Sequence, residues 1–235
     1  MHAHGQLHVA DAGLPSHAAV TQALQEIVGE SNGGFGLQMW ATVVDRSGVV
    51  HLVTRSGEDP GDQWPGSRVI SAQKANTANA FSLPGLALST ANLFFAVQPG
   101  QSLFGLQASN PVDTKVAYRG AAADFGTPHD AMAGRRIGGV NVFGGGLALY
   151  NSAGTLVGAL GVSGDSSVAD HIIAWKLRDR LELDYVPAGV SPTQDDNMVI
   201  DLAGGVSASG WGHAATTSEA SLIVEDLPKF HPIGK

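Results

Sequence analysis

Cysteine is missing from this chain altogether. That excludes disulfides, thiolate metal sites and covalent haem attachment through C-x-x-C-H. Charge is scarce as well, 14% of residues with a formal net charge of −8, which speaks against a nucleic-acid surface. No stretch reaches the roughly 18 uninterrupted apolar residues of a membrane span. The start, MHAHGQLHVADAGLPS, has neither a basic end nor a long apolar run, so it does not read as a signal peptide and a cytoplasmic location is expected. Walker, HExxH and EF-hand patterns are absent, as are tandem repeats and low-complexity blocks.

What the chain has in quantity is glycine, 31 of 235 residues, enough for many tight turns and close backbone approaches. Low charge with many small residues also fits subunit interfaces. The organising stretch runs from Gly138 to Leu183. Two apolar runs, Gly146–Tyr150 and Thr155–Val162, flank Asn151-Ser152-Ala153-Gly154 and read as a hairpin. The second run ends in Ser163-Gly164-Asp165-Ser166-Ser167, where Asp165, Ser166 or Ser167 can cap a helix and Ser167-x-x-Asp170 resembles a capping box. Ile173, Leu177 and Leu181, with Val168, Ile172 and Trp175 beside them, give that helix a wide apolar face to about Leu183. A strand thus hands the chain to a helix amino end, which favours anionic groups.

Elsewhere, His2, His4, His8 and His17 mark the first segment as a metal-binding or, with more weight, a subunit-bridging tail. Ser16 caps a helix through about Val28. Leu37–Val44 and Val49–Arg55 read as a hairpin across Asp45-Arg46-Ser47-Gly48. Ser67 can cap a helix through about Phe81, with Lys74 on the same stripe as Ile70, Thr77 and Phe81, either a snorkelling lysine or a cation facing a pocket. Thr90–Val97 reads as helical and Ser102–Gln107 as a short helix or turn. Residues Asn110–Ile137 read as an insertion crossing the surface, with His129 and Asp130 solvated. Asn197–Leu202 is expected as a strand, and Leu222–Val224 as a short apolar piece before a proline-containing tail. The order of elements implies α+β architecture, an antiparallel sheet covered by helices.

Two near-motifs fail. Gly161-Val162-Ser163-Gly164-Asp165 lacks the last glycine of a nucleophile elbow, and Gly158, Gly161 and Gly164 are spaced wrongly for a dinucleotide loop. Three other pieces carry a resemblance. They are Val43-Val44-Asp45-Arg46-Ser47-Gly48 with Arg55; Ala72-Gln73-Lys74-Ala75-Asn76-Thr77-Ala78 with Phe81; and Leu156 through Asp165 followed by Asp170. In that order, over roughly Ser16 to Leu183, the chain resembles the GlcG/HbpS family of haem-binding or haem-degrading-domain proteins. The resemblance implies a three-layer sandwich related to profilin-like or Roadblock-like folds, a tendency to form homo-oligomers, and haem as the candidate cofactor. It supplies no haem ligand. The organisation expected is an N-terminal extension (1–15), a family domain (16–183) with an insertion (110–137), and a C-terminal extension (184–235) wrapping the domain or a neighbouring subunit.

Local chemistry then nominates the site. Arg55, Lys74 and the helix start at Asp165 to His171 lie in or beside the matching motifs, and cations beside a helix end can receive a carboxylate. The alternative is that Arg55 and Lys74 pair with Asp45, Asp165 or Asp170. His171 can bind iron, act as a base, or sit buried on a hydrogen bond. His213, in Gly210-Trp211-Gly212-His213, suits a pocket rim, a second metal ligand, or a plain loop. Three functions stay open: a small-molecule-binding protein with haem as ligand; an enzyme on a small acidic or carbonyl compound, with Arg55 and Lys74 holding its anionic group, His171 shuttling a proton, and Lys74, Asp170 and His171 as the catalytic set; and a structural oligomeric module. Asp165, Asp170 and His171 are expected at or beside the main pocket.

Overall fold

The computed structural model describes residues 13–234. The tail histidines His2, His4 and His8 lie outside the described residues. In chain order the elements are α1 (His17–Val28), β1 (Trp40–Asp45), β2 (Val50–Arg55), α2 (Ser67–Phe81), α3 (Leu106–Ser109), α4 (Thr114–Ala117), β3 (Gly146–Tyr150), β4 (Leu156–Ser163), α5 (Ser167–Arg180), β5 (Leu202–Ala203), β6 (Val206–Ser207) and α6 (Ser218–Phe230). Short 3-10 turns cover Thr90–Leu93, Phe95–Val97 and Ala122–Asp124.

The main sheet is antiparallel in the order β2-β1-β4-β3. Alternation along its strands sorts the side chains. Ala41, Val43, Leu52, Leu160 and Val162 join α1, α5 and α6 in the largest core cluster, while Trp40, Val44, Val53 and Ala159 pack with Ala72, Ala75 and Ala78 of α2. The result is the expected α+β sandwich of three layers. Gly161 lets α2 lie directly on the sheet, because a Cβ there would overlap the Ser71 carbonyl. α5 is buried along almost its whole length, Val168 to Arg178, so its polar residues are interior groups rather than a wet face.

Several expectations are corrected. Leu37 to Met39 do not join the strand: Leu37 N–H donates to Asp165 and Met39 N–H to Ser56 Oγ, so side chains take up these amides before Trp40, while the Met39 carbonyl already accepts the Ser56 amide. His129 is exposed, but Asp130 is buried, paired with Arg68 at 2.5 Å, and it also accepts from the Gly126 and Met132 amides. The insertion therefore packs rather than merely crosses the surface. Its Met132 and Ile137 enter the α2 core, and its Arg135 carbonyl and Gly134 amide pair with Val50, covering part of the β2 edge.

Asn197–Leu202 is not a continuous strand: Val199 makes an isolated parallel bridge with Gly212, and the strand proper is Leu202–Ala203, paired with Val206–Ser207. Leu222–Val224 belongs to α6, capped by Thr217 and continuing through Pro228. Residues 184–234 pack on the main body through Met198, Val224 and Leu227 and through a buried Arg178–Asp196 ion pair at 2.7 Å.

Candidate functional site

The hand-over from β4 to α5 builds a polar cluster inside the protein. Ser166 caps α5, its side chain accepting from Ala169 N–H. Asp170 sits in the first turn and bends back, so that Oδ1 accepts the Gly164 and Asp165 amides and Oδ2 accepts Lys74 Nζ at 2.6 Å. Lys74, reaching from α2, also donates to the Val162 carbonyl at 3.1 Å. Both side chains are buried. Desolvation therefore pushes the Lys74 amine down and the Asp170 carboxyl up to about 6, each opposed by the other's charge.

Gly144, Gly145 and Gly146 run across this pair. A Cβ on Gly145 would stand 3.1 Å from Lys74 Nζ, and one on Gly144 would stand 2.9 Å from His171 Cβ. The strap is pinned at both ends. Thr90 Oγ1 donates to the Phe143 carbonyl and accepts Gly146 N–H, and His213 Nε2 accepts Gly144 N–H at 3.2 Å. His213 donates from Nδ1 to the Ala214 carbonyl at 2.7 Å, so both its nitrogens are engaged, and its ring lies 4.5 Å from that of Phe94. Burial holds it neutral, pushed down to about 4.

His171 is fully buried. Its Nε2 faces Asn197 Oδ1 at 3.2 Å and Met198 N–H at 3.1 Å, while its Nδ1 has no hydrogen-bond partner. Burial pushes it down to about 3. The structure thus brings together Lys74, Asp170, His171 and His213, but encloses them. A haem iron needs an imidazole nitrogen with open space before it. His213 has none to spare, and the one unpartnered nitrogen of His171 is sealed. These two residues do not fit haem ligation in this conformation.

Asp165 and Arg55 do other things. Asp165 accepts the Phe35, Leu37 and Ser166 amides, tying the loop before β1 to the start of α5. Arg55 is separated from this cluster by one strand, since Trp40 stands between Arg55 and Ser163 in register, about 10 Å across. Its Nη2 donates to the Glu58 carbonyl at 2.7 Å, and its side chain packs on Gly126.

Of the cavities among the described residues, four of the best formed are lined by none of Lys74, Asp170, His171 and His213. A space of about 370 Å³ lies among Leu14, Ser16, His17, His51, Leu52, Val53, Thr127, Pro128 and Ala133. His17 Nε2 meets the Val53 and Gly126 carbonyls at 3.0 and 3.1 Å, and His51 Nε2 meets the Pro15 carbonyl at 3.1 Å. Sequence reasoning missed this corner because Pro128 and Ala133 come from the insertion and His51 lies in an ordinary-looking strand. Among the described residues no group of three or more His, Cys, Asp or Glu could hold a metal ion, and no helix is long and apolar enough to cross a membrane.

No curated protein matches the chain. Three solved structures are similar to it. A Klebsiella pneumoniae protein, ORFY, is 26% identical over 71% of this chain and 90% of its own, with a TM-score of 0.48. PduOC, solved in complex with haem, is 25% identical over 72% and 94%, with a TM-score of 0.49. HbpS is 19% identical over 72% and 92%, with a TM-score of 0.44. A family model described as haem degrading protein HbpS-like matches residues 16–178, from the cap of α1 through Arg178 of α5 and so the four-stranded sheet with α1, α2 and most of α5, and on that ground the chain belongs to the HbpS-like family.

Proposed function

We propose that this chain is a small-molecule-binding protein with haem as its ligand, held in the cavity between α1, β2 and the Thr127–Ala133 loop. The observation that supports this reading is the lining. Of the four cavities, this one combines two imidazoles with the apolar side chains of Leu14, Leu52, Val53, Pro128 and Ala133, and apart from Leu14 every lining residue falls within the family match. That donor set suits a haem. His51 would meet the iron by giving up the Pro15 carbonyl, with Val53 and Pro128 beside the macrocycle. Arg55, packed on Gly126 next to the same loop, is a cation for an anionic group there. Haem bound here would supply an iron centre. Titration of the purified protein with haem should give a saturable Soret band at one haem per chain, weakened at least tenfold by His51→Ala and unchanged by His171→Ala. No saturation sinks the proposal; loss with His171→Ala but not His51→Ala moves the site. Assembly into a homo-oligomer is part of the same reading and is checked by sedimentation.

One observation favours a second reading. Lys74 and Asp170 are shifted towards each other's protonation range, which is how acid–base pairs are poised. An enzyme acting on a small acidic or carbonyl compound would use them once the Gly144–Gly146 strap lifts. Reductive trapping of a carbonyl probe at Lys74 in haem-free protein, read by mass, separates the two readings.

A further inference from the structure

α6 has more apolar surface than the core uses. Ala220, Val224 and Leu227 face inward, but Leu222 and Phe230 remain 62% and 74% exposed. Both line a groove of about 450 Å³ with Ile223, Leu227, Lys176 and Glu219. A second hollow of about 260 Å³ continues it, sharing Ser31 and Glu219 and running along the Gly33–Leu37 loop. Phe35, at the tip of that loop, is 75% exposed. The loop is not loose: Asp165 clamps the Phe35 and Leu37 amides, and Asn32 is held by Lys176. The surface is therefore a continuous trough across α5, with rigidly presented apolar anchors at both ends.

Its electrostatics choose the occupant. Four carboxylates line the two hollows, those of Glu219, Asp226, Glu30 and Asp165, against one ammonium, Lys176, and one imidazole, His231, which is held on Asp179 at 2.7 Å. Lys176 is already spent on Glu30, and Asp226 is joined to Lys229 on the exposed side of α6. Glu219 is exposed and takes only the Ser31 hydroxyl. A second copy of this chain, docking by the same face, would bring the same acids against these. The chain's own first twelve residues, MHAHGQLHVADA, carry no lysine or arginine to meet them. We propose that this trough docks an amphipathic segment of another protein, apolar on one side and lysine- or arginine-bearing on the other. α6 spans 13 residues, about 20 Å, so three to four turns of a partner helix match its length.

The test uses the full chain and two labelled fourteen-residue peptides of one helical pattern, one Leu/Lys and one Leu/Glu, read by fluorescence anisotropy. The Leu/Lys peptide should saturate at one per chain and weaken several-fold between 50 and 500 mM salt, as screening requires. The Leu/Glu peptide should not bind. Leu222→Asn and Phe230→Ser, both at exposed positions, should each weaken binding at least tenfold with an unchanged melting temperature, and Glu219→Lys should weaken it as well. Equal binding of both peptides, or full binding by Leu222→Asn and Phe230→Ser, overturns the proposal. So does a dimer in sedimentation that Leu222→Asn dissolves, since the face would then belong to a second copy.

Discussion

Lys74 meets Asp170 where no water screens either charge, and the ion pair stands because each group also has backbone partners. Removing one member leaves the other buried and alone. Lys74→Met should therefore cost about 3–5 kcal/mol in urea unfolding, and adding Asp170→Leu should recover much of it. The two histidines give the cluster a pH signature. His171 and His213 are depressed to about 3 and about 4, so the stability they contribute is present above their ordinary range near 6.5 and is lost as pH falls towards those values. Asp170 works in the opposite sense. Raised to about 6, it contributes stability that is full below 3.8 and is lost as pH rises through about 6. Between pH 6 and 4 each histidine makes stability fall as pH drops, by up to about 1.4 kcal/mol per pH unit, while Asp170 and Asp184, whose carboxyl burial also raises, work against them. His213→Gln should flatten that slope in urea midpoints taken across this range; an unchanged slope would show that His213 is protonated in the folded protein.

At the scale of elements, much was legible. α1 and α5 announce themselves by capping serines and periodic apolar residues, α2 by its periodic apolar residues alone, since Gly66 precedes it without a side-chain cap and Ser67 is its first residue and not its cap, and both hairpins by their turn residues. The failures have physical causes. Strand β1 starts late because Ser56 and Asp165, distant in sequence, satisfy the backbone before it. α6 was read as a fragment because Pro228 looks like a helix breaker. It is tolerated there because Asn197 Nδ2 donates to the Val224 carbonyl at 2.8 Å, the acceptor that a proline nitrogen leaves empty four residues on. Packing between layers also gives a sharp contrast. Gly161→Ala forces α2 off the sheet and should cost about 3 kcal/mol or more, whereas Gly154→Ala, in a turn with φ of +70° and open space around it, should cost only about 1–2 kcal/mol. Paired thermal melts of the two variants check this; equal losses would mean that the contact of α2 with β4 yields easily.

For the whole molecule, the last fifty residues are part of one body. Arg178 bridges the sheet and the C-terminal segment, donating to Asp196 through both terminal nitrogens and to the Ala148 carbonyl. Arg178→Met should cost about 3–5 kcal/mol and lower the melting temperature of the entire chain in a single transition. A separate low-temperature transition for the C-terminal segment would contradict this. The sequence could show neither Arg178 with Asp196 nor Arg68 with Asp130, because such pairs are made by the folded path and not by spacing. The candidate residues fared in the same way. The clustering of Asp165, Asp170 and His171 at the β4–α5 junction could be read from motifs and capping, but not the place of Arg55 one strand away, nor the enclosure, which depends on a strap latched by Thr90 and His213.

Asn197 spans a longer distance than its size suggests. One end of its amide completes α6 at Val224, and the other faces His171 in the middle of α5, beside the Met198 amide that shares that ring nitrogen. The last helix therefore cannot loosen at Pro228 without disturbing an imidazole in the centre of the protein, and a proton forced onto that imidazole is felt at the last helix. In hydrogen exchange the Met198 amide and the amides around Val224 should open together as one cooperative unit, and Asn197→Ala should split them into two.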